Sequence, residues 1–299
     1  MADPAEPTRL RIATRASQLA VWQAEHVADL LRAARPGVEV ELVRVTTEGD
    51  RRTDVPLSVI GGKGVFATEV QSAVLEGRAE LAVHSGKDLP AVTGEGLHLA
   101  AVPRRGDPRD ALVGAALDDL PEGAVVATGS IRRRAQLADL RPDLRFAELR
   151  GNMATRLAKA EHFDAIVVAA AALGRLGLEQ HLTEVLPVER FIPQVAQGAL
   201  VVECRAGEPE LAALLQELED ATTRRAVDAE RAFLAELGGD CTLPAGAHAR
   251  VLDDGGLELR AVLAADVRGA VARTVERGDD PVDLGTRVAR TLRAQLADR

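Results

Sequence analysis

The stretch AVVATGSIRRRAQLADLRPDLRFAELRGNMATRLAKAEHFDAIVVAAAAL, residues 124–173, decides the fold. Its apolar segments AVVATGS, LRFAELR and DAIVVAAAAL are typical of strands, whereas IRRRAQLADL and residues 153–160 have helical periodicity. Strands that alternate with helices along a chain indicate βαβ units and a parallel sheet. The sequence therefore predicts the α/β class.

The N-terminal third shows the same alternation. RLRIAT, VEVELVRV and residues 80–84 and 97–102 are predicted strands, and residues 17–34 and 65–78 are predicted helices. Residues 46–64 are polar, contain glycine and have no periodicity, and a connection of that length is usually a functional lid or a disordered segment. RRGDPRD, residues 104–110, is a plausible crossing between two domains.

The last third has a different character. Residues 210–237 are mostly helical, and three strand-like runs (248–252, 257–265 and 270–277) precede a closing helix over residues 282–297. This order predicts a small α+β unit. Three domains are expected in total.

Composition excludes several classes of protein. The chain has 299 residues, enough for two or three domains with a sizeable core, and two cysteines, too few for a disulfide framework. A net charge of −9 with 2% aromatic residues argues against nucleic-acid binding. We expect no signal peptide, no membrane span and no metal site, and a reducing cytoplasmic location.

The segment VATGSIRRRAQL is the strongest local signal for a binding site. A predicted strand ends at Ala127, Thr128 and Ser130 form the turn, and Arg132 and Arg133 lie in the first turn of the helix that follows. A helix N-terminus favours an anion, and cations there oppose the helix dipole. Two arginines at this position indicate a bound anion; the alternative is a solvated basic helix start.

Two further strand-to-helix junctions carry the same residue types. Arg150 and Arg156 flank the turn in ELRGNMATRL, and Arg15 and Ser17 follow the first predicted strand. In open α/β sheets, ligands collect outside the carboxyl ends of the strands. Together the three junctions predict a polyanionic ligand in a cleft.

The segment AVHSGKDLP places Lys87 and Asp88 at the end of another apolar strand. They could form a surface pair in a turn. They could also supply a carboxylate that stabilises a cation formed during a reaction. Both interpretations remain open on the residues alone.

The two cysteines lie in contrasting surroundings. Cys241 lies in the glycine-rich loop GGDCTLPAG and is predicted to be displayed, whereas Cys204 ends an apolar strand and is predicted to be packed and inert. GGKG, which contains Lys63, is not a Walker loop because glycine follows the lysine. No phosphate-loop motif therefore supports the alternative of a nucleotide-dependent transferase.

These motifs, with QVAQGALVVECR between RGNMATRL and the Cys241 loop, stand in an order that resembles the hydroxymethylbilane synthase family, also called porphobilinogen deaminases, from about residue 10 to residue 246. The resemblance implies two lobes similar to type II periplasmic binding proteins and a small C-terminal α+β domain with a three-stranded antiparallel sheet. It implies a discontinuous first domain (8–103 with 198–219), a second domain (104–197) and a third (220–299).

The resemblance also implies a reaction. Enzymes of this family are transferases of porphyrin and heme biosynthesis that join four porphobilinogen molecules into the linear tetrapyrrole hydroxymethylbilane and release ammonia at each step. They use a dipyrromethane cofactor, which a thioether would attach to Cys241. Asp88 would be the catalytic carboxylate. We expect a monomer whose partner is the small-molecule substrate, with no nucleic acid and no membrane.

The remaining site residues are carried over by motif. Cofactor-binding residues would be Ser17, Lys87, Thr128, Ser130, Arg132, Arg133 and Arg156. Substrate-binding residues would be Arg15, Phe66, Arg150, Arg175 and Gln197, and lid residues would be Asp50 and Lys63.

Some positions depart from the family pattern. Gly86 stands where methionine is common, Val59 where a lid lysine often occurs, Ala196 where glycine is usual and Asp240 where glycine is frequent. The main alternative is a non-catalytic, two-lobed protein that binds a small anion. That alternative explains the arginine junctions but gives no role to Cys241 or Asp88.

Overall fold

The computed structural model describes residues 9–51, 66–238 and 243–298, with the backbone alone for Asp50 and Arg51. Its strands are β1 (Arg9–Arg15), β2 (Glu39–Val45), β3 (Leu81–Ser85), β4 (Leu97–Ala101), β5 (Asp110–Gly114), β6 (Val125–Ala127), β7 (Arg145–Ala147), β8 (Ala165–Ala169), β9 (Glu184–Val185), β10 (Leu200–Arg205), β11 (Ala245–Val251), β12 (Leu257–Ala264) and β13 (Val271–Gly278). Its α-helices are α1 (Gln18–Ala34), α2 (Glu48–Arg51), α3 (Thr68–Leu75), α4 (Ile131–Leu140), α5 (Met153–Ala160), α6 (Ala170–Leu176), α7 (Pro209–Gln216), α8 (Ala221–Glu236) and α9 (Pro281–Ala297).

Two five-stranded sheets form two lobes with the same topology. The first lobe has the strand order β2-β1-β3-β10-β4, and the second lobe has the order β7-β6-β8-β5-β9. In the first lobe β10 runs antiparallel to its neighbours β3 and β4, and in the second lobe β5 runs antiparallel to β8 and β9. Each antiparallel strand follows a chain segment that arrives from the other lobe. This exchange of one strand is the topology of type II periplasmic binding proteins, so the predicted fold class is confirmed.

The C-terminal unit is a three-stranded antiparallel sheet in the order β11-β12-β13, as expected. Helices α8 and α9 pack together and against this sheet. Phe233 of α8 is completely buried in the resulting core. Burial of an aromatic side chain of this size contributes about 2–3 kcal/mol, which helps a small layered unit to keep one arrangement.

The crossing segments between the lobes contact each other. The Gly106 N–H donates to the carbonyl oxygen of Gly198 at 3.1 Å. Gly198 has a φ of +84°, and a Cβ there would lie 2.7 Å from the Gly106 oxygen. Glycine is required at residue 198 because no side chain fits between the two crossings.

The third unit is tied to both crossings by one buried carboxylate. Glu230 of α8 accepts from Arg105 Nη1 at 2.6 Å and from the backbone N–H of Ala196 at 2.6 Å. Arg105 belongs to the first crossing segment and Ala196 to the second, so Glu230 binds both crossing segments to α8. The fully buried carboxylate has its charge paired, as a buried ion requires.

The sequence-based prediction was wrong for part of DAIVVAAAAL. The strand β8 ends at Ala169, and α6 takes the alanines that follow. Alanine has the highest helix propensity, and a short apolar run does not distinguish strand from helix. The predicted domain boundaries stay predictions. No helix in the described part of the chain combines the length and the hydropathy needed to cross a membrane.

Candidate active site

The carboxyl ends of β1 and β3 in the first lobe face those of β6 and β8 in the second. A cavity of about 640 Å³ lies between them. Parallel strands point their carboxyl ends to one edge of a sheet, so polar residues that are distant in sequence meet here. Ten of the predicted site residues line the cavity: Arg15, Ser17, Phe66, Lys87, Asp88, Thr128, Ser130, Arg133, Arg150 and Arg156.

Asp88 faces Arg15 in this cavity. A single 3₁₀ turn (Gly86–Asp88) follows β3 and carries the carboxylate, whose Oδ2 lies 3.9 Å from Arg15 Nη1. The Arg15 guanidinium also lies over the Phe66 ring, 4.2 Å from its centroid. A cation over an aromatic face is attracted by the ring quadrupole, which limits the orientations of the guanidinium. A partly exposed carboxylate is thus held beside a positioned cation.

Lys87 lies next to Asp88 in the cavity wall. Its Nζ donates to Gln197 Oε1 at 3.3 Å. Burial and the nearby Arg133 guanidinium lower the pKa of Lys87 from 10.5 to about 8, although Asp88 opposes the shift. A lysine in these surroundings lacks full charge compensation and favours an added anion.

The second lobe supplies more cations. Burial and repulsion from Arg133 lower the pKa of Arg156 to about 10, and burial lowers the pKa of Arg150. Arg156 Nε donates to the Gly151 carbonyl at 2.9 Å, which fixes the side chain beside the turn before α5. The cationic side chains of the cavity therefore outnumber the carboxylates that face them.

The hydroxyl residues cap the helices that start at the cavity. Ser17 Oγ accepts from the Ala20 N–H at 3.3 Å at the start of α1, and Ser130 Oγ accepts from the Arg133 N–H at 3.4 Å at the start of α4. Thr128 Oγ1 accepts from the Ser130 N–H at 3.2 Å. These caps point the N-termini of two helices into the cavity, where the dipoles favour negative charge.

Three predicted site residues lie outside the cavity lining, near the crossings. Arg132 is buried, and its Nη1 donates to the Ile192 carbonyl at 2.7 Å. Arg175 Nη2 donates to the Gly198 carbonyl at 2.6 Å, and Gln197 Nε2 donates to the Pro108 carbonyl at 2.8 Å. These residues support the junction of the lobes.

Several predicted positions lie outside the described residues: Cys241, Lys63, Val59, Asp240 and the side chain of Asp50. Cys204 is described and is completely buried. Burial raises the pKa of its thiol to about 11, so the thiolate is rare at neutral pH. The prediction that Cys204 is packed is confirmed.

Two buried polar residues of the site were missed by sequence reasoning. Gln23 of α1 donates through Nε2 to Ser85 Oγ at 2.8 Å, at the end of β3. Asp110 is fully buried and accepts from Arg133 Nη2 at 2.6 Å. A polar residue on the buried face of α1 was the available signal for Gln23. Asp110 had no signal beyond its place after an arginine-rich crossing.

Comparison with known families decides the identity of this arrangement. Residues 10–213 match the family model described as "Porphobilinogen deaminase, dipyromethane cofactor binding domain". Residues 224–294 match the model described as "Porphobilinogen deaminase, C-terminal domain". The chain belongs to the porphobilinogen deaminase family. It is accordingly a transferase of porphyrin and heme biosynthesis that uses a dipyrromethane cofactor, and the alternative of a non-catalytic anion-binding protein is not supported.

Curated members of the porphobilinogen deaminase family are similar over nearly their whole length. The porphobilinogen deaminase of Roseiflexus castenholzii is 48% identical over 95% of this chain and 95% of its own. That of Acidithiobacillus ferrooxidans is 47% identical over 97% and 96%, and that of Brevibacillus brevis is 44% identical over 96% and 94%.

Solved structures with a similar arrangement include solute-binding proteins. An ancestral cationic amino acid solute-binding protein matches with a TM-score of 0.45 at 16% identity, over 70% of this chain and 87% of its own. A TRAP periplasmic solute-binding protein from Pseudomonas aeruginosa matches with a TM-score of 0.41 at 14% identity, over 78% of this chain and 92% of its own.

In the described ranges, no group of three or more histidine, cysteine, aspartate or glutamate residues is arranged to hold a metal ion.

Proposed function

We propose that this chain condenses four porphobilinogen molecules into hydroxymethylbilane in the cavity between its lobes, with Asp88 as the catalytic carboxylate. One observation carries the proposal: the Asp88 carboxylate lies 3.9 Å from the stacked Arg15 guanidinium, in a cavity whose charged lining residues are mostly cations. A ligand with many carboxylates suits those cations, and the Asp88 carboxylate beside Arg15 suits a cationic transition state.

The residues of the cavity fit a dipyrromethane cofactor with acidic side chains. Burial first, and repulsion from Arg133 second, lower the pKa values of Lys87 and Arg156, and a bound anion would stabilise their charged forms. Arginine forks bind carboxylates with two parallel hydrogen bonds, and helix N-termini add backbone donors. When bound, the cofactor would supply the pyrrole to which the first substrate is joined.

Asp88 would act as the electrostatic catalyst and as the general base. Loss of ammonia from porphobilinogen leaves positive charge that spreads to the pyrrole nitrogen, and an Asp88 carboxylate oxygen would stabilise it. The same oxygen could accept the proton that leaves the ring after the carbon–carbon bond forms. Arg15 would orient the carboxylate from the other side.

The other residues would divide by what they touch. Cofactor carboxylates would be bound by Ser17, Lys87, Thr128, Ser130, Arg133 and Arg156, and substrate by Arg15, Phe66 and Arg150. For Arg132, Arg175 and Gln197 the contacts favour a supporting role at the crossings over direct contact. Asp50 and Lys63 keep the lid role that the family resemblance implies.

Cys241 would carry the cofactor through a thioether. Of the two cysteines in the sequence, Cys204 is buried with a raised thiol pKa, which leaves Cys241 as the candidate. A thioether is stable, so the cofactor would remain through every turnover.

We also propose the domain boundaries 8–103 with 198–219, 104–197 and 220–299, and a cytoplasmic monomer. The entry of β10 into the first sheet supports the discontinuous first domain. The described site residues come from one chain, which supports a monomer, and light scattering of the purified protein would test it. The low cysteine count suits a reducing compartment.

Intact mass spectrometry tests the covalent cofactor. The purified protein should be heavier than the 31.6 kDa chain by two pyrrole units and should give the colour of a pyrrole with an acidic aldehyde reagent. Cys241→Ser should lose the adduct, and the matched variant Cys204→Ala should keep it. An unmodified mass in active protein, or an adduct on Cys241→Ser, would overturn the assignment.

Ammonia release tests the reaction itself. Purified protein given porphobilinogen should release one ammonia for each molecule consumed. Binding of porphobilinogen without ammonia release would instead support a protein that only binds small anions.

A further inference from the structure

The first strand of the second lobe that follows the crossing begins with a buried acid. Asp110 opens β5 and is paired with Ala169, the last residue of β8, so its side chain lies below the cavity floor. The carboxylate is completely buried. Three side chains from two different segments share its two oxygen atoms.

The first partner is the cavity arginine. Arg133 donates to Asp110 Oδ1 through Nε at 2.9 Å and Nη2 at 2.6 Å, while its Nη1 donates to the Val167 carbonyl at 2.8 Å. All three nitrogens of the guanidinium are thus engaged below or beside the cavity. Arg132 Nη1 lies 2.8 Å from Asp110 Oδ2. Burial alone would raise the pKa of the Asp110 carboxyl. The Arg132 and Arg133 guanidinium groups nevertheless hold this pKa well below its usual range.

The third partner leads to the other lobe. Gln197 Nε2 donates to Asp110 Oδ1 at 3.0 Å, and its Oε1 accepts from Lys87 Nζ at 3.3 Å. An amide whose nitrogen binds a carboxylate must turn its oxygen the opposite way, toward a donor. Asp110 therefore orients the Gln197 amide together with the Pro108 carbonyl, to which Nε2 also donates at 2.8 Å, and the amide oxygen faces Lys87.

We propose that Asp110 is a positioning residue that fixes Arg133 in the cavity floor and, through the Gln197 amide, holds Lys87 in place as a charged group. The inference rests on the proposed function for its activity readout only. Asp110 touches neither substrate nor cofactor in this role; it supplies the fixed negative charge that two buried arginines and a lysine need when they lie close together.

The charged groups around Lys87 decide in which direction its pKa should move when Asp110 is replaced. Asp88 and Asp110 favour the ammonium form, and Arg133 and Arg156 oppose it. Removing the Asp110 charge leaves the two cations with less compensation, so the pKa of Lys87 should fall below its value of about 8.

The chain offers a direct measurement because it contains three lysines, Lys63, Lys87 and Lys159. Lysine labelled with ¹³C at the ε position gives three signals whose titration can be followed by NMR, and Lys87→Arg assigns the signal of interest. The folded Asp110→Asn protein should show a pKa of Lys87 lower by about half a unit to one unit. Lys159 should titrate unchanged and serves as the internal control.

Asp107→Asn is the matched control. Asp107 lies in the same crossing but pairs with Arg109 at 2.6 Å on a partly exposed surface. Its replacement should leave the titration of Lys87 unchanged. An unchanged Lys87 titration in folded Asp110→Asn would overturn the proposal, and so would an equal shift in both variants.

A second variant covers the case in which Asp110→Asn does not fold. Gln197→Met removes the amide and keeps the Asp110 charge. Lys87 then loses its hydrogen-bond acceptor, and its pKa should again fall; an unchanged value would overturn the role given to the amide.

Activity gives an independent check. In Asp110→Asn, kcat/KM should begin its decline at a lower pH than in the parent protein, by the same interval that NMR measures. A lysine shift in a protein that releases no ammonia would contradict the proposed function and leave the role of Asp110 standing. Normal turnover without a shift in the pKa of Lys87 would support the proposed function and overturn the role of Asp110.

Discussion

Gly86, directly after β3, and Ala196, in the segment that precedes β10, lie side by side. A Cβ at Gly86 would lie 2.9 Å from the Ala196 Cβ and 3.2 Å from its carbonyl oxygen. Ala196 has a φ of +55°, in the left-handed region that favours glycine. The family resemblance implies methionine at the first position and glycine at the second, and we expect these two departures, distant in sequence, to compensate each other sterically.

A double-mutant cycle tests this compensation. Gly86→Ala alone should lower the free energy of unfolding by about 1–3 kcal/mol because the new methyl collides with Ala196. Ala196→Gly should relieve backbone strain, and Gly86→Ala should cost less in its presence, with a coupling of about 1 kcal/mol. Urea unfolding of the four proteins measures the coupling. Additive effects would show that the two positions do not compensate.

Replacement of Asp88 should separate cofactor attachment from turnover. Asp88→Asn keeps the shape of the side chain and removes the charge, so the pyrrole adduct should remain while kcat falls about 100- to 1,000-fold. Mass spectrometry and ammonia release measure the two effects. Asp118→Asn, which breaks an exposed pair with Arg190, should change neither. Full turnover in Asp88→Asn would remove the assigned role.

The lowered pKa of Lys87, about 8, predicts proton uptake on binding. A bound carboxylate stabilises the ammonium form and raises this pKa, so binding at pH 8 should take up about half a proton, and almost none at pH 6. Calorimetry in buffers of different ionisation enthalpy would measure it, with a pyrrole dicarboxylate that lacks the aminomethyl group. Lys87→Arg keeps its charge at both values of pH and should abolish the uptake. Equal uptake in that variant would assign the proton elsewhere.

Without ligand, the lowered pKa of Lys87 should make the folding stability of the protein depend on pH. Lys87 has a folded-state pKa of about 8 against an ordinary value of 10.5, so between these values the unfolded chain holds more protons. Stability from this group therefore rises with pH across that window. The parent protein should gain stability over this range relative to Lys87→Arg in parallel urea titrations.

Arg156→Leu should weaken binding of the cofactor carboxylates without unfolding the protein. The lost charge-assisted hydrogen bonds should lower the affinity for the cofactor roughly 10- to 100-fold, so intact mass should show a smaller fraction of protein with the two-pyrrole adduct. The free energy of unfolding should change by less than about 1 kcal/mol, because the lost bond to Gly151 is offset by removal of a poorly compensated cation. Arg145→Leu, at an exposed strand on the outer edge of the second sheet, is the control. Equal adduct fractions in all three proteins would contradict the cofactor-binding role.

Arg175 and Trp22 offer an optical signal for the junction of the lobes. The Arg175 guanidinium lies 5.7 Å from the centroid of the Trp22 ring, and Trp22 is the one tryptophan in a sequence without tyrosine. Arg175→Met should uncover the ring and move its emission to longer wavelength. Arg32→Met, on the same helix as Trp22 but paired with Asp29, should leave the emission unchanged. Identical spectra of all three proteins would show that the contact is not formed in solution.

Much of the fold followed from local pattern. The strand β1, the helix α4 and the three C-terminal strands were predicted within a few residues because their periodicity and caps are local properties. The alanine run after β8 was misassigned because apolar content alone does not separate strand from helix. β5 went unpredicted, since its place in the sheet depends on a crossing from the other lobe.

The candidate site was predicted in its residue types and less well in its geometry. Arg132 and Arg133 are adjacent in sequence, yet Arg133 lines the cavity and Arg132 points to the Ile192 carbonyl behind it. Neighbouring residues on a helix face different directions, and only the packing of α4 decides which side meets the ligand. Asp110, which holds both, could not be identified before its burial was known.

The sequence by itself determined the α/β class, the arginine and hydroxyl groups at strand ends, and the family to which the chain belongs, because these depend on residue order along the chain. The tertiary structure alone decided which cations share one cavity, that a buried Asp110 compensates them, and that Gly86 meets Ala196. Charge compensation and steric fit depend on distances between residues far apart in sequence, and those distances exist only once both lobes and their crossings are folded.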